Sequence, residues 1–232
     1  MTGVSKQELR SSLNTRLKLL CVDHDALFSS AVEVVIFGSR AAGVNSDTSD
    51  LDVLCFTQYK RRMKTSQLDC ICYPHEEMGS PYWLGCELAS HIAHYGVWIM
   101  GSGAWCNSVH IGDAAITRKQ RKVLSLVVNA YSRWRQFHPL FRVKYVTSIR
   151  RELQRLCLLQ AAVPVPPTPV LDSQWNSHQT KPERLLSVAG DVSGLPHAYA
   201  DWICSILERD TLAEGVCGGM RVARTSSLRS PG

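Results

Sequence analysis

The chain has 232 residues, 45% hydrophobic and 20% charged, with a formal net charge of +6. This is the composition of an ordinary soluble globular protein with room for one large domain or two small ones, and no apolar run approaches the roughly 20 residues that span a bilayer. The nine cysteines are odd in number and include no C-x-x-C pair, which excludes a complete intrachain disulfide set and argues against structural zinc, so reduced thiols are expected.

The N-terminal stretch has basic residues but lacks the apolar core and cleavage site of a signal peptide, so a cytoplasmic protein is expected. Leu9, Leu13, Leu17 and Leu20 recur at helical spacing, predicting one amphipathic helix over Ser5 to Ser30. Two β-branched runs follow, Val32 to Phe37 and Leu51 to Thr57, separated by a Gly/Asn/Ser/Asp loop, and both read as buried strands. The basic connector QYKRRMKTSQ leads to a third strand, Leu68 to Tyr73, closed by Pro74. A helix is predicted over Leu84 to Tyr95, turned by Gly96 into a strand at Val97 to Met100.

Beyond Gly112 the spacing becomes helical, predicting long helices over Thr117 to Phe137 and Phe141 to Leu159. The segment AAVPVPPTPV reads as an extended surface linker. Shorter helices are predicted at Pro182 to Val188 and Pro196 to Arg209, and a disordered Gly/Ser/Arg tail from Gly215. The charge divides unevenly, with 9 Lys/Arg against 12 Asp/Glu through Asp113 and 17 against 8 thereafter. An acidic site in the first half facing a basic surface from the second is one reading of that asymmetry, and a solvated basic face is the other.

Alternate residues of a strand point to one side, so Asp50 and Asp52 project together while Leu51 and Val53 face the other way. Adjacent carboxylates repel unless a cation lies between them. Oxygen-only ligands suit Mg²⁺ or Mn²⁺ better than zinc. Gly38 and Ser39 end the preceding strand, where a turn without side-chain bulk exposes backbone N–H groups and a hydroxyl to a phosphate. The loop is neither a P-loop, since no Lys-Ser/Thr follows Gly43, nor a dinucleotide fingerprint.

The arrangement of strand, Gly38-Ser39, a ten-residue loop, then Asp50-Leu51-Asp52 opening the next strand resembles the signature of the DNA polymerase beta-like nucleotidyltransferase superfamily. The resemblance is particularly to its small bacterial and antibiotic-type members. QLDCICYP supplies Asp69 where that family carries a third acid on a later strand, so the resemblance covers about residues 32 to 73. It departs from the family at Ala42, where many members have a second arginine.

The fold class implied is α+β: a small mixed sheet flanked by helices over residues 1–114, a helical domain over 115–214 with its proline-rich linker near 161–171, and a tail over 215–232. The resemblance implies transfer of a nucleoside monophosphate from an NTP, with ATP expected, to an acceptor hydroxyl with release of pyrophosphate. Asp50, Asp52 and Asp69 would be catalytic and would hold Mg²⁺ or Mn²⁺. Gly38, Ser39, Arg40 and Ser49 would bind the nucleotide. Lys144 and Arg151 share a helix face and are candidates for the β- or γ-phosphate, against the plainer reading of a solvated face.

His91 and His94, at i and i+3, lack a third ligand and are expected to be ordinary packing or surface histidines. The basic C-terminal half argues for an RNA or protein acceptor over a cationic aminoglycoside. An antibiotic nucleotidyltransferase and a non-catalytic, antitoxin-like binding module are the competing readings.

Overall fold

The computed structural model describes residues 5–19, 28–176, 199, 201–203 and 205–207. The helix expected at Pro182 to Val188, part of that at Pro196 to Arg209, residues 20–27 of the first expected helix and the tail from Gly215 lie outside the described residues. The chain divides into two compact units, Met1–Arg118 with Leu158–Ser173, and Lys119–Cys157 with Gln174–Gly232.

The first unit is built on a five-stranded mixed sheet in the order β3-β4-β2-β1-β5. Its strands are β1 (Glu33–Phe37), β2 (Leu51–Thr57), β3 (Arg61–Lys64), β4 (Leu68–Pro74) and β5 (Val97–Met100). Only β2 and β4 run parallel; the other neighbours are antiparallel. Four of these strands fall where apolar runs predict them. The fifth, β3, occupies the basic connector, and its sequence RRMK is exposed or half-buried throughout, as suits an edge strand guarded by charge.

Each sheet face has its own apolar layer. On one side Leu51, Val53, Cys55, Leu68, Cys70 and Cys72 meet Leu9, Leu13 and Leu17 of α1 (Lys6–Leu19). That helix starts at Lys6 because Ser5 and Glu8 form a capping box: the Glu8 amide donates to Ser5 Oγ at 3.2 Å and the Ser5 amide to Glu8 Oε2 at 2.9 Å. Burying its three leucines contributes about 1.5–3 kcal/mol each. On the opposite face Val35, Leu54 and Phe56 pack with Trp83, Ala89, Ile92 and Trp105.

Two short helices supply that second layer. A turn of helix at Gly38–Ala41 (α2) follows β1; the second layer comes from α3 (Pro81–Leu84), which is not predicted, and α4 (Glu87–Tyr95), which is the helix predicted over Leu84 to Tyr95 with its start three residues later. Both starts are capped, Ser80 Oγ accepting from the Trp83 amide at 3.1 Å and Cys86 Sγ from the Ala89 amide at 3.3 Å. Buried Glu33 at the head of β1 accepts from the Gly103 amide at 2.8 Å, Trp105 Nε1 at 2.8 Å and Trp98 Nε1 at 3.3 Å. Three donors satisfy a carboxylate that would be costly to bury alone.

The proline-rich segment corrects the expectation of a surface linker: Val165, Pro166 and Pro167 are buried. Proline has no N–H to satisfy, so burying this stretch leaves mainly carbonyls to pair. The ring of His91 bonds the Val165 carbonyl through Nδ1 at 2.7 Å, so this histidine has the packing role expected of it. Leu159, Val165 and Leu171 form a small core with Ile111, Ile116 and Leu158.

The long helices are α5 (Asp113–Arg133) and α6 (Pro139–Gln160), each close to its predicted span, followed by α7 (Thr168–Asn176). In the second unit Val123, Val127, Ala130, Val146, Ile149 and Leu153 are buried. Buried Glu152 accepts from Lys119 at 2.7 Å and Lys122 at 2.9 Å, and these ammonium groups hold its carboxyl below the ordinary carboxylate range against the opposing effect of burial. No helix among the described residues is long and apolar enough to cross a membrane.

Candidate active site

Three strands end together at one margin of the sheet. Phe37, the last residue of β1, is in register with Asp52 of β2, and Asp52 is in register with Asp69 of β4. Asp50 lies one residue before β2, so it and Asp52 flank Leu51, which turns into the apolar layer under α1. Asp50, Asp52 and Asp69 each bring a carboxylate oxygen to within 4.8 Å of the others. The parallel pairing of β2 with β4 makes this possible, because it sets the leading ends of two strands side by side.

Gly38 gives the cluster its close wall. Its φ is +75°, in the left-handed region that favours glycine, and a Cβ there would lie 2.2 Å from Asp52 Oδ2. The turn of α2 also carries Ser39 and Arg40, both half-buried. Arg40 donates from Nε at 2.9 Å and from a terminal nitrogen at 2.8 Å to the Ser49 carbonyl. Ser49 Oγ in turn accepts from the Ser46 amide at 3.0 Å. Arg40 and Ser49, both expected to bind nucleotide, therefore brace the loop that presents Asp50.

The three acids differ in their surroundings. Burial, then the charges of Asp50 and Asp69, push the Asp52 carboxyl up to about 7. Asp69 goes the other way: a hydrogen bond from Arg62 and another from Lys64 hold its carboxyl below the ordinary range in spite of its burial. Arg62 donates to both Asp69 oxygens, at 2.9 and 2.6 Å, and Lys64 Nζ to Oδ2 at 2.8 Å. Lys64 is in register with Asp69 across β3 and β4.

Sequence reasoning missed Arg62 and Lys64, because they lay in a stretch read as connector. Alternation within RRMK was the available signal: it sends Arg62 and Lys64 to the Asp69 face and Met63 to the apolar layer opposite. Arg16 was missed too, and its guanidinium reaches the Gln67 carbonyl just before β4. Of the other expected residues, Lys144 and Arg151 lie on α6 in the second unit, Lys144 exposed and Arg151 half-buried.

A second convergence lies on the opposite sheet face. Cys55, Cys70 and Cys72, all buried and free, bring their sulfurs within 4.8 Å of one another. Hydrogen bonds to Cys70 and Cys72, with burial, push the Cys55 thiol well above its ordinary value. Spacing along the chain could not reveal this trio, since Cys55 stands on β2 and the other two on β4.

Residues 24–82 match the family model described as a nucleotidyltransferase domain, a span that holds β1 to β4 and all three acids. No curated protein sequence matches the chain. A solved structure of spectinomycin adenyltransferase from Enterococcus faecialis with ATP and spectinomycin is similar at 12% identity and TM-score 0.47, over 88% of this chain and all of that one. A nucleotidyltransferase-like protein from Exiguobacterium sibiricum is similar at 12% identity and TM-score 0.39, over 95% of this chain and 80% of that one.

Proposed function

We propose, on the premise of a nucleotidyltransferase domain at residues 24–82, that the chain moves a nucleoside monophosphate from an NTP to an acceptor hydroxyl with the help of a divalent metal. The observation that carries this reading is the convergence of Asp50, Asp52 and Asp69 against the Gly38 turn. The donor set fits Mg²⁺ or Mn²⁺, because every side chain of the cluster offers a hard carboxylate oxygen, and burial together with the charges of Asp50 and Asp69 disfavours a bare negative charge on Asp52, a cost that a cation would relieve. Bound there, the metal would neutralise the triphosphate and stabilise the entering and leaving oxygens of an in-line displacement.

The residues divide the remaining work. Asp50, Asp52 and Asp69 would hold the metal, and Gly38 lets the backbone pack closely against Asp52. Arg40 fixes the Asp50 loop through Ser49. Asp69, at the β3 side of the cluster, assists deprotonation of the acceptor hydroxyl. The acceptor oxygen bonds to the α-phosphorus while the bond from that phosphorus to the bridging oxygen breaks, and pyrophosphate departs with the electron pair.

Label transfer from α-labelled NTPs in the presence of Mg²⁺ and a cell extract tests the reading directly. Label transferred to any acceptor supports it and no transfer with any NTP counts against it; the molecule that carries the label distinguishes an RNA or protein acceptor from a cationic aminoglycoside. Asp69→Asn is expected to lower turnover by 100-fold or more, about 2.7 kcal/mol, while changing NTP affinity less than fivefold by titration. Equal loss of both would mean that Asp69 serves the triphosphate. Lys144→Gln is expected to raise the KM for NTP about tenfold, the worth of one charge-assisted hydrogen bond, whereas neutralising Arg221, Arg224 and Arg229 in the tail changes it little. Steady-state kinetics reads both.

A further inference from the structure

We propose that Tyr59, Lys60, Arg62 and Lys64 form a track for a single-stranded nucleic acid whose terminal hydroxyl is the acceptor. This inference rests on the nucleotidyl-transfer reading and names the acceptor class for that site. Lys60, Arg62 and Lys64 alternate along the edge of the sheet and reach one face of β4: Lys60 Nζ sits 5.2 Å from the Tyr73 ring centroid, and Arg62 and Lys64 meet Asp69. The backbone positions of such a row recur about every 6.7 Å, and the Arg62 and Lys64 head groups draw together on Asp69 Oδ2, at 2.6 and 2.8 Å. Its Lys64 end adjoins the acid cluster.

The local charge count favours an anionic occupant. Asp69 is one carboxylate facing two cations whose side chains are 56% and 59% exposed. A metal drawing on Asp69 would leave Arg62 and Lys64 without that partner beside an arriving acceptor, and phosphate oxygens satisfy both. At the far end Tyr59 is 60% exposed. Thr57 Oγ1 donates to the Tyr59 carbonyl at 2.8 Å and accepts from its amide at 3.4 Å, fixing the turn that presents the ring. An exposed aromatic beside a basic row is the composition of a sequence-tolerant single-strand site, with the ring stacking a base. Edge-strand protection alone would account for the charges, but not for their convergence on one acid or for the adjoining aromatic.

The test is fluorescence anisotropy of the full chain with short, mixed-sequence, labelled single-stranded RNA and DNA, without NTP, over a salt series. Three phosphate contacts predict that the triple variant Lys60→Gln, Arg62→Gln, Lys64→Gln flattens the log K against log salt slope by about 2. The control triple Lys6→Gln, Arg10→Gln, Lys18→Gln, on α1 against the opposite sheet face, leaves the slope unchanged. Tyr59→Ala weakens binding at least fivefold, the lower end of a stacking contribution, with the slope intact. Because Asp69 loses its partners in the first triple, Lys60→Gln with Tyr59→Ala provides a second variant that leaves them in place and is expected to weaken binding at least tenfold.

Unchanged binding in the Lys60/Tyr59 double variant, or equal slopes in the row and control triples, overturns the track. The Mg²⁺-dependent rise in melting temperature, measured on the same samples, reports the acid cluster separately. Its loss in the unaltered protein would sink the underlying transfer reading; its presence with no strand bound would sink only the track.

Discussion

Asp52→Asn is expected to raise the melting temperature of the metal-free protein while abolishing nucleotidyl transfer. In the folded chain this carboxyl titrates at about 7, pushed there by burial and by Asp50 and Asp69, against about 4 for an unfolded aspartate. Between those limits the folded state holds the additional proton, so raising the pH from about 4 to about 7 subtracts stability, and the penalty is complete above pH 7. Allowing for solvent screening at a partly exposed group, its size is on the order of 2 kcal/mol. The gap in melting temperature between the variant and the unaltered protein should close near pH 4 and widen to roughly 4–8 °C above pH 7. Mg²⁺ should then stabilise the unaltered protein, increasingly as the pH rises through the same window, since binding displaces the proton, and should do little for the variant. A gap independent of pH, or near-normal turnover by Asp52→Asn at saturating Mg²⁺, would remove Asp52 from the metal site.

Gly38→Ala is expected to be the most damaging change of a single methyl group. Two costs combine: a left-handed φ of +75° and a Cβ placed 2.2 Å from Asp52 Oδ2 and 3.1 Å from its Cγ. The backbone cost is about 1–2 kcal/mol, and displacing Asp52 adds to it, for a total of roughly 2–3 kcal/mol by denaturant unfolding. Activity should fall at least 100-fold, since a carboxylate moved by an ångström no longer meets its ligand. A double-mutant cycle separates the terms: in an Asp52→Ala background, Gly38→Ala should cost little beyond the backbone share. Simple additivity of the two substitutions would show that the methyl group and the carboxylate do not meet.

The sheet and its acids are largely legible in the sequence, and the reason is local. Val34 to Phe37, Leu51 to Phe56 and Leu68 to Tyr73 are apolar runs punctuated by Gly38, the polar loop and Pro74, and each acid stands at the head of its run. What stayed hidden depends on contacts distant in sequence. Arg61 to Lys64 lacks the β-branched residues that announce a strand, and its pairing is visible only once β4 lies beside it. Glu33 looks like an ordinary strand-end acid, because its donors at Trp98, Gly103 and Trp105 lie 65 to 72 residues away. Val165 to Pro167 read as linker since proline composition is the same whether a segment is covered or exposed; the His91 ring decides the matter, 74 residues upstream of Val165.

That last contact bears on how such a gene can be cut and rejoined. The unit holding the acids is written in two pieces, Met1–Arg118 and Leu158–Ser173. A fragment ending at Arg118 would retain every acid and still strip Ile111 and Ile116 of Leu159, Val165 and Leu171. It would also leave the His91 ring without the Val165 carbonyl. A recombination event with a single crossover between residues 118 and 158 inherits half of that small core from each parent, so the two halves must already match. Exchange is tolerated more readily with two crossovers, which swap the intervening stretch as a cassette and leave both pieces of the first unit from one parent.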